Sequence, residues 1–169
     1  MILGLPPLVF IHTLISLVGI VTGLVVLRDL WRNDRADRWT NWFLVTTILT
    51  SASGFILPAA KFMPSHAVGV LSLVILAIAC YARYAKRMAG IWRTGYVLTA
   101  VAALYFNVFV LVVQLFLKVP ALHELAPQGN EPPFGIAQAV VLVAFVVAGI
   151  FAARRFHPMD AANEDTAHA

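Results

Sequence analysis

The stretch from Pro7 to Leu27, PLVFIHTLISLVGIVTGLVVL, decides the fold: it holds no Asp, Glu, Lys or Arg and runs directly into Arg28. A helix needs about 20 apolar residues to cross the hydrocarbon core of a bilayer. Four more stretches of this kind follow, near 41–60, 66–82, 94–117 and 134–153. Lipid offers no partner to a free backbone N–H or C=O, so each is expected to be an α-helix. The chain therefore reads as all-α, a polytopic membrane protein with five transmembrane helices. The expected arrangement is a four-helix bundle plus a fifth helix, one domain over residues 1–155 followed by a disordered cytoplasmic tail over 156–169.

Composition points the same way. Of 169 residues, 61% are hydrophobic and 12% charged, whereas a soluble domain is about one quarter charged and a disordered chain combines low hydrophobicity with high charge. The single cysteine, Cys80, has no internal disulfide partner, and no zinc-type Cys/His spacing occurs. The first span is read as a retained helix: no basic residue precedes it and no small-x-small cleavage site follows.

The net charge of +4 is a statement about topology. Arg28, Arg32, Arg35 and Arg38 follow the first span, Arg83, Lys86, Arg87 and Arg93 follow the third, and Arg154 and Arg155 follow the last. Of the 12 Lys and Arg, this leaves only Lys61 and Lys118 for the opposite side. The positive-inside rule then puts the N-terminus outside and the C-terminus in the cytoplasm. Trp31, Trp39, Trp42 and Trp92 fall at the same inner interface, where an indole N–H stays wet. Nucleic acid is excluded as a partner. The expected partners are bilayer lipids, with other membrane subunits or further copies of the chain as alternatives.

Pro120, Pro127, Pro132 and Pro133 crowd the outer loop, and stiff φ angles predict an extended, non-helical course there. His123 and Glu124 lie in it as solvated connector residues, and His157 and His168 in the tail are incidental. The first four spans also look like two hairpins of one plan, with His12 and His66 at their outer ends and the echo of ISLV (15–18) in LSLV (71–74). A parallel repeat of this kind would bring the first helices of the two hairpins together at a central core.

Helices in lipid meet through small residues and hydrogen bonds. His12, Ser16, Gly19 and Gly23 share one face of the first span by their spacing, and Thr47, Ser51, Gly54 and Pro58 do so on the second. Ala100, Ala103, Asn107 and Gln114 form a third stripe, with Asn107 as a hydrogen-bonding clamp. At 1.5 Å of rise per residue, His12 and Gln138 lie roughly 8 to 9 Å outward of their helix centres, and Gln114 and His66 roughly 12 to 13 Å. A polar, outward-opening pocket is expected from His12 and His66 with Ser16, Asn107 and Gln114 or Gln138.

An ionisable residue inside a span is a functional candidate by default. Two readings of His12 and His66 stand. In one they are structural, His12 bonding a hydroxyl or carbonyl across the core and His66 capping the third helix beside Ser65. In the other they bind a metal or haem b, since neutral imidazole ligates iron and bundles hold haem between facing histidines. Gly19 and Gly69 would then make room for a porphyrin, and Lys61 would meet its propionates. No intramembrane acid, HExxH, GxSxG or phosphate loop is present, so no enzyme is indicated. The expected role is a non-enzymatic one in assembly, permeation or partner support, with a redox carrier using His12 and His66 as the alternative.

The run TTILTSASGF (46–55), then Ser65-His66 and the inner-loop run from Ala89 to Tyr96, resembles small bacterial integral membrane proteins of unknown function. The resemblance implies a bacterial inner membrane and, from histidines near helix ends in such proteins, a cytochrome-b-like haem site. The His-Arg-Arg run expected after the third helix is missing; Arg83, Lys86 and Arg87 stand there without a histidine.

Overall fold

The structure is a computed structural model that describes residues 6–35, 37–57 and 64–157. Every regular element among them is helical: α1 (Pro7–Trp31), α2 (Asp37–Ser53), α3 (Pro64–Cys80), α4 (Ile91–Lys118), α5 (Pro120–Leu125) and α6 (Pro132–Arg155), with a π-helical turn over Tyr81–Ala85 after α3. Four helical stretches are long and apolar enough to cross a membrane: Pro7–Trp31, His66–Ala85, Ile91–Lys118 and Pro132–Arg155. They mark a multi-pass membrane protein. Pro58, Lys61 and the tail from 158 onward, His168 included, lie outside the described residues.

Helix ends follow local chemistry. Pro opens α1, α5 and α6, where its missing N–H costs nothing and its φ is already helical. Arg28, Lys118, Arg154 and Arg155 sit in last turns, facing the carbonyl ends of their helices. Asn33 (φ 63°) takes the left-handed conformation that stops α1. Two of the four prolines in the segment after α4 thus start helices where an extended course was expected. Pro120 begins α5 and Pro132 begins α6, because proline is tolerated in a first turn and excluded only further in.

α1 packs on α2, α4 and α6; α3 packs on α2 and α4. The two helices expected to meet at a pseudo-symmetric core instead stand on opposite sides of a cavity lined by both. The close-packed core lies toward the basic end, where Leu30, Phe43, Leu76, Tyr96, Leu104 and Phe156 are almost wholly buried. Cross-ties hold that end together. Arg93 Nη1 donates to the Phe156 carbonyl, the His157 N–H to Asn33 Oδ1, and Trp31 Nε1 to the Ala148 carbonyl at 3.2 Å. The Trp31 indole therefore spends its N–H on α6 rather than on interfacial water. The outside is apolar: Ile136, Val140, Val143 and Val147 form one exposed row along α6, a patch that suits lipid and not water.

Candidate functional site

The other end of the molecule is open. Between α1, α2, α3 and α4 lies a cavity of about 490 Å³, within the usual range for small-molecule sites. α1 contributes His12, Thr13, Ser16 and Ile20; α2 and the turn after it contribute Thr50, Ser51, Gly54 and Phe55. α3 adds His66, Gly69 and Ser72, and α4 adds Asn107, Val110, Gln114 and Lys118. Spacing explains the gathering. His12 and Ser16 are one turn apart on α1, as are Gln114 and Lys118 on α4, so each pair shares a face.

Five of the six expected pocket residues meet here: His12, Ser16, His66, Asn107 and Gln114. Gln138 does not. Its Nε2 donates to the Phe109 carbonyl at 3.2 Å, which places it in the contact between α6 and α4. Depth along a helix gave its height, but the face it occupies points elsewhere. Its Oε1 and the hydroxyl of Thr50 are buried without a hydrogen-bond partner. Sequence reasoning passed over Thr50, Ser72 and Lys118. Lys118 was read only as an outer charge, although its spacing from Gln114 puts both on one face.

His12 is held from α2. Its Nδ1 lies 2.8 Å from Ser53 Oγ, and Ser53 Oγ donates its single proton to the Thr50 carbonyl at 3.1 Å. With the Ser53 proton on that carbonyl, Ser53 accepts from His12 Nδ1–H, the tautomer that leaves the Nε2 lone pair unspent. The structural expectation for His12, a hydroxyl across the core, is this contact. His66 lies against Phe55, ring centroids 5.7 Å apart. Asn107 Nδ2 donates to Thr47 Oγ1 at 3.2 Å, the clamp between α4 and α2.

Side chains of the protein stand close against both glycines assigned to a porphyrin. A Cβ on Gly19 would stand 3.3 Å from the hydroxyls of Thr46 and Thr47 and 3.4 Å from the Asn107 amide. On Gly69 it would stand 3.2 Å from the Phe55 ring. Gly19 lets Thr46, Thr47 and Asn107 approach α1, and Gly69 lets the Phe55 ring approach α3 where it also lines the cavity. Among the described residues no three His, Cys, Asp or Glu gather to hold an ion.

A second cluster, not foreseen from the sequence, lies at the basic end. Arg83 sits in the π-helical turn with its side chain 4% exposed, paired to the largely exposed Asp37. It also donates to the Arg35 carbonyl at 3.3 Å, and its guanidinium stacks 5.1 Å from the centroid of the buried Tyr96 ring. Its work is to tie the start of α2 to the start of α4. Comparison with protein-family models, curated proteins and solved structures finds no match.

Proposed function

We propose that this is a small, non-enzymatic integral membrane protein that holds an amphipathic small molecule in the cavity between its first four helices. The observation that carries the reading is the cavity's make-up: mostly apolar walls with a few converging polar groups from four elements, two of them histidines. The proposed setting is a bacterial inner membrane, N-terminus outside and C-terminus in the cytoplasm. In it α2 is the fifth span, in a four-helix bundle with α6 packed outside. α2 has 17 residues and so reaches only about 26 Å, but Gly54, Phe55 and Leu57 beyond its end line the cavity beside His66. That continuation supports a full crossing.

The test is native mass spectrometry of the detergent-purified full chain and of Ser16→Phe, which puts a ring into the cavity. The expected result is a co-purifying organic species on the wild-type protein that is lost from the variant. Wild-type protein free of any such species would overturn the reading. A Soret band shifting on dithionite would replace it with the haem alternative through His12 and His66.

A further inference from the structure

Resting on that reading, we infer that the ligand is a neutral amphiphile carrying a hydroxyl group, recognised by a row of hydrogen-bond acceptors on α1. The protons of this row are already spent. Thr13 Oγ1 donates to the Val9 carbonyl at 2.9 Å, and Ser16 Oγ donates to the Thr13 carbonyl at 2.8 Å. With the Ser53 proton on the Thr50 carbonyl, His12 takes the tautomer that gives its Nδ1 proton to Ser53. What α1 turns to the cavity is therefore lone pairs: His12 Nε2, Thr13 Oγ1 and Ser16 Oγ. Donors in the lining stand across from that wall, in the Gln114 amide and the Lys118 ammonium on α4 and in the unpartnered Thr50 hydroxyl on α2.

A hydroxyl suits such a wall because it donates one hydrogen bond and accepts others. A carboxylate only accepts: it could meet Lys118, but it would leave the α1 acceptors facing a second set of lone pairs. An ether or ester has no proton to give. A cationic head would meet Lys118, and no carboxylate lines the cavity to offset it. Size limits the body. At about 30 Å³ for each water-sized volume, the 490 Å³ cavity takes roughly 16 heavy-atom groups, one chain or a small ring system and not a two-chain lipid.

The experiment is a scintillation proximity assay on the full-length protein in nanodiscs, with tritiated tetradecan-1-ol displaced by unlabelled tetradecan-1-ol, its methyl ether or tetradecanoic acid. The expected result is that the ether and the acid compete at least ten-fold more weakly than the alcohol. His12→Phe should lower alcohol binding about ten-fold and bring the alcohol and ether together, while His12→Gln, whose carbonyl accepts, restores part of the gap. If His12→Phe fails to fold, the three-ligand comparison on the wild-type protein still decides. Equal competition by alcohol and ether would refute the donor requirement and leave the cavity reading standing, and a preferred acid would refute it in favour of an anionic head. Absence of displaceable binding by any of the three, with Ser16→Phe indistinguishable from wild type, would remove both readings.

Discussion

Adding one methyl group at Gly23 tests how closely α1 meets its neighbours. A Cβ there would stand 2.5 Å from Leu104 Cδ1 on α4 and 2.8 Å from the Phe43 ring on α2. Leu104 ends in a flexible methyl, but the Phe43 ring is 1% exposed and has nowhere to turn. Overpacking of this kind costs about 1–3 kcal/mol, while Gly→Ala in a helix returns up to about 1 kcal/mol. Gly23→Ala should therefore lose about 1–2 kcal/mol. Gly95 on α4 is the control, since a Cβ added there meets nothing within 4 Å, and Gly95→Ala should gain a few tenths to about 1 kcal/mol. At roughly 2–4 °C per kcal/mol for a chain of this size, the two variants should melt several degrees apart by near-ultraviolet circular dichroism in one detergent. Equal melting temperatures, or a more stable Gly23→Ala, would mean that α1 does not sit against Phe43 and Leu104 as described.

Arg83→Lys should cost about 1–2 kcal/mol in urea unfolding, because lysine loses the planar guanidinium that lies over the Tyr96 ring while its Nη2 reaches the Arg35 carbonyl and Asp37. Asp37→Asn should cost less than about 1 kcal/mol, since that carboxylate is 69% exposed; the reverse order would refute the buried-clamp role of Arg83. At the opposite end, backbone hydrogen bonds, the Gln128 N–H first, hold the Glu131 carboxyl below its ordinary value of 4.5. A lowered pKa in the folded state stabilises the turn above the ordinary value, and this stabilisation is lost as pH falls through the lowered one. Amide exchange at Gln128 and Asn130 should accelerate in that acid range and not in Glu131→Gln, and a pH-independent ratio between the two proteins would refute the contact.

The long spans were legible because lipid imposes one solution on an uncharged apolar run, so α1, α4 and α6 lie close to where composition puts them. α2 was harder. It starts at Asp37, inside a stretch that reads as a charged loop, because Asp37 is drawn into the first turn by an Arg83 that the sequence shows only as one more cationic residue. Counting charge assigns a side of the membrane; it does not say which guanidinium turns inward. Gln138 shows the same limit for depth, since helix rise fixes height and leaves the face to packing. Gly19 and Gly69 show it for chemistry. A glycine that admits a cofactor and one that admits Thr47 or Phe55 are the same letter, and only the neighbours tell them apart. His12 was different, because a lone imidazole in an apolar helix must find a partner, and spacing placed it with Ser16 on an inward face.

The two ends of the molecule differ for a reason that belongs to membranes. Between helices in lipid no hydrophobic force closes a gap, so packing holds only where shape, aromatic contact or hydrogen bonds supply it. At the basic end Arg83, Arg93, Tyr96 and Phe156 supply all three, and the core is tight. At the other end the same four helices offer small and hydroxylated residues, whose protons are largely turned back onto their own backbones or onto one another. Such residues leave room between helices with few unsatisfied donors, the Thr50 hydroxyl among them, which is what an amphiphile's apolar body and single polar group require. From Gly23 to His12 the axis of α1 rises about 16 Å, beyond the range at which substitutions usually couple. Changes at Gly23 or Arg83 therefore read out packing and changes at His12 or Ser16 read out the cavity, and a variant that moved both would show the two ends acting as one unit.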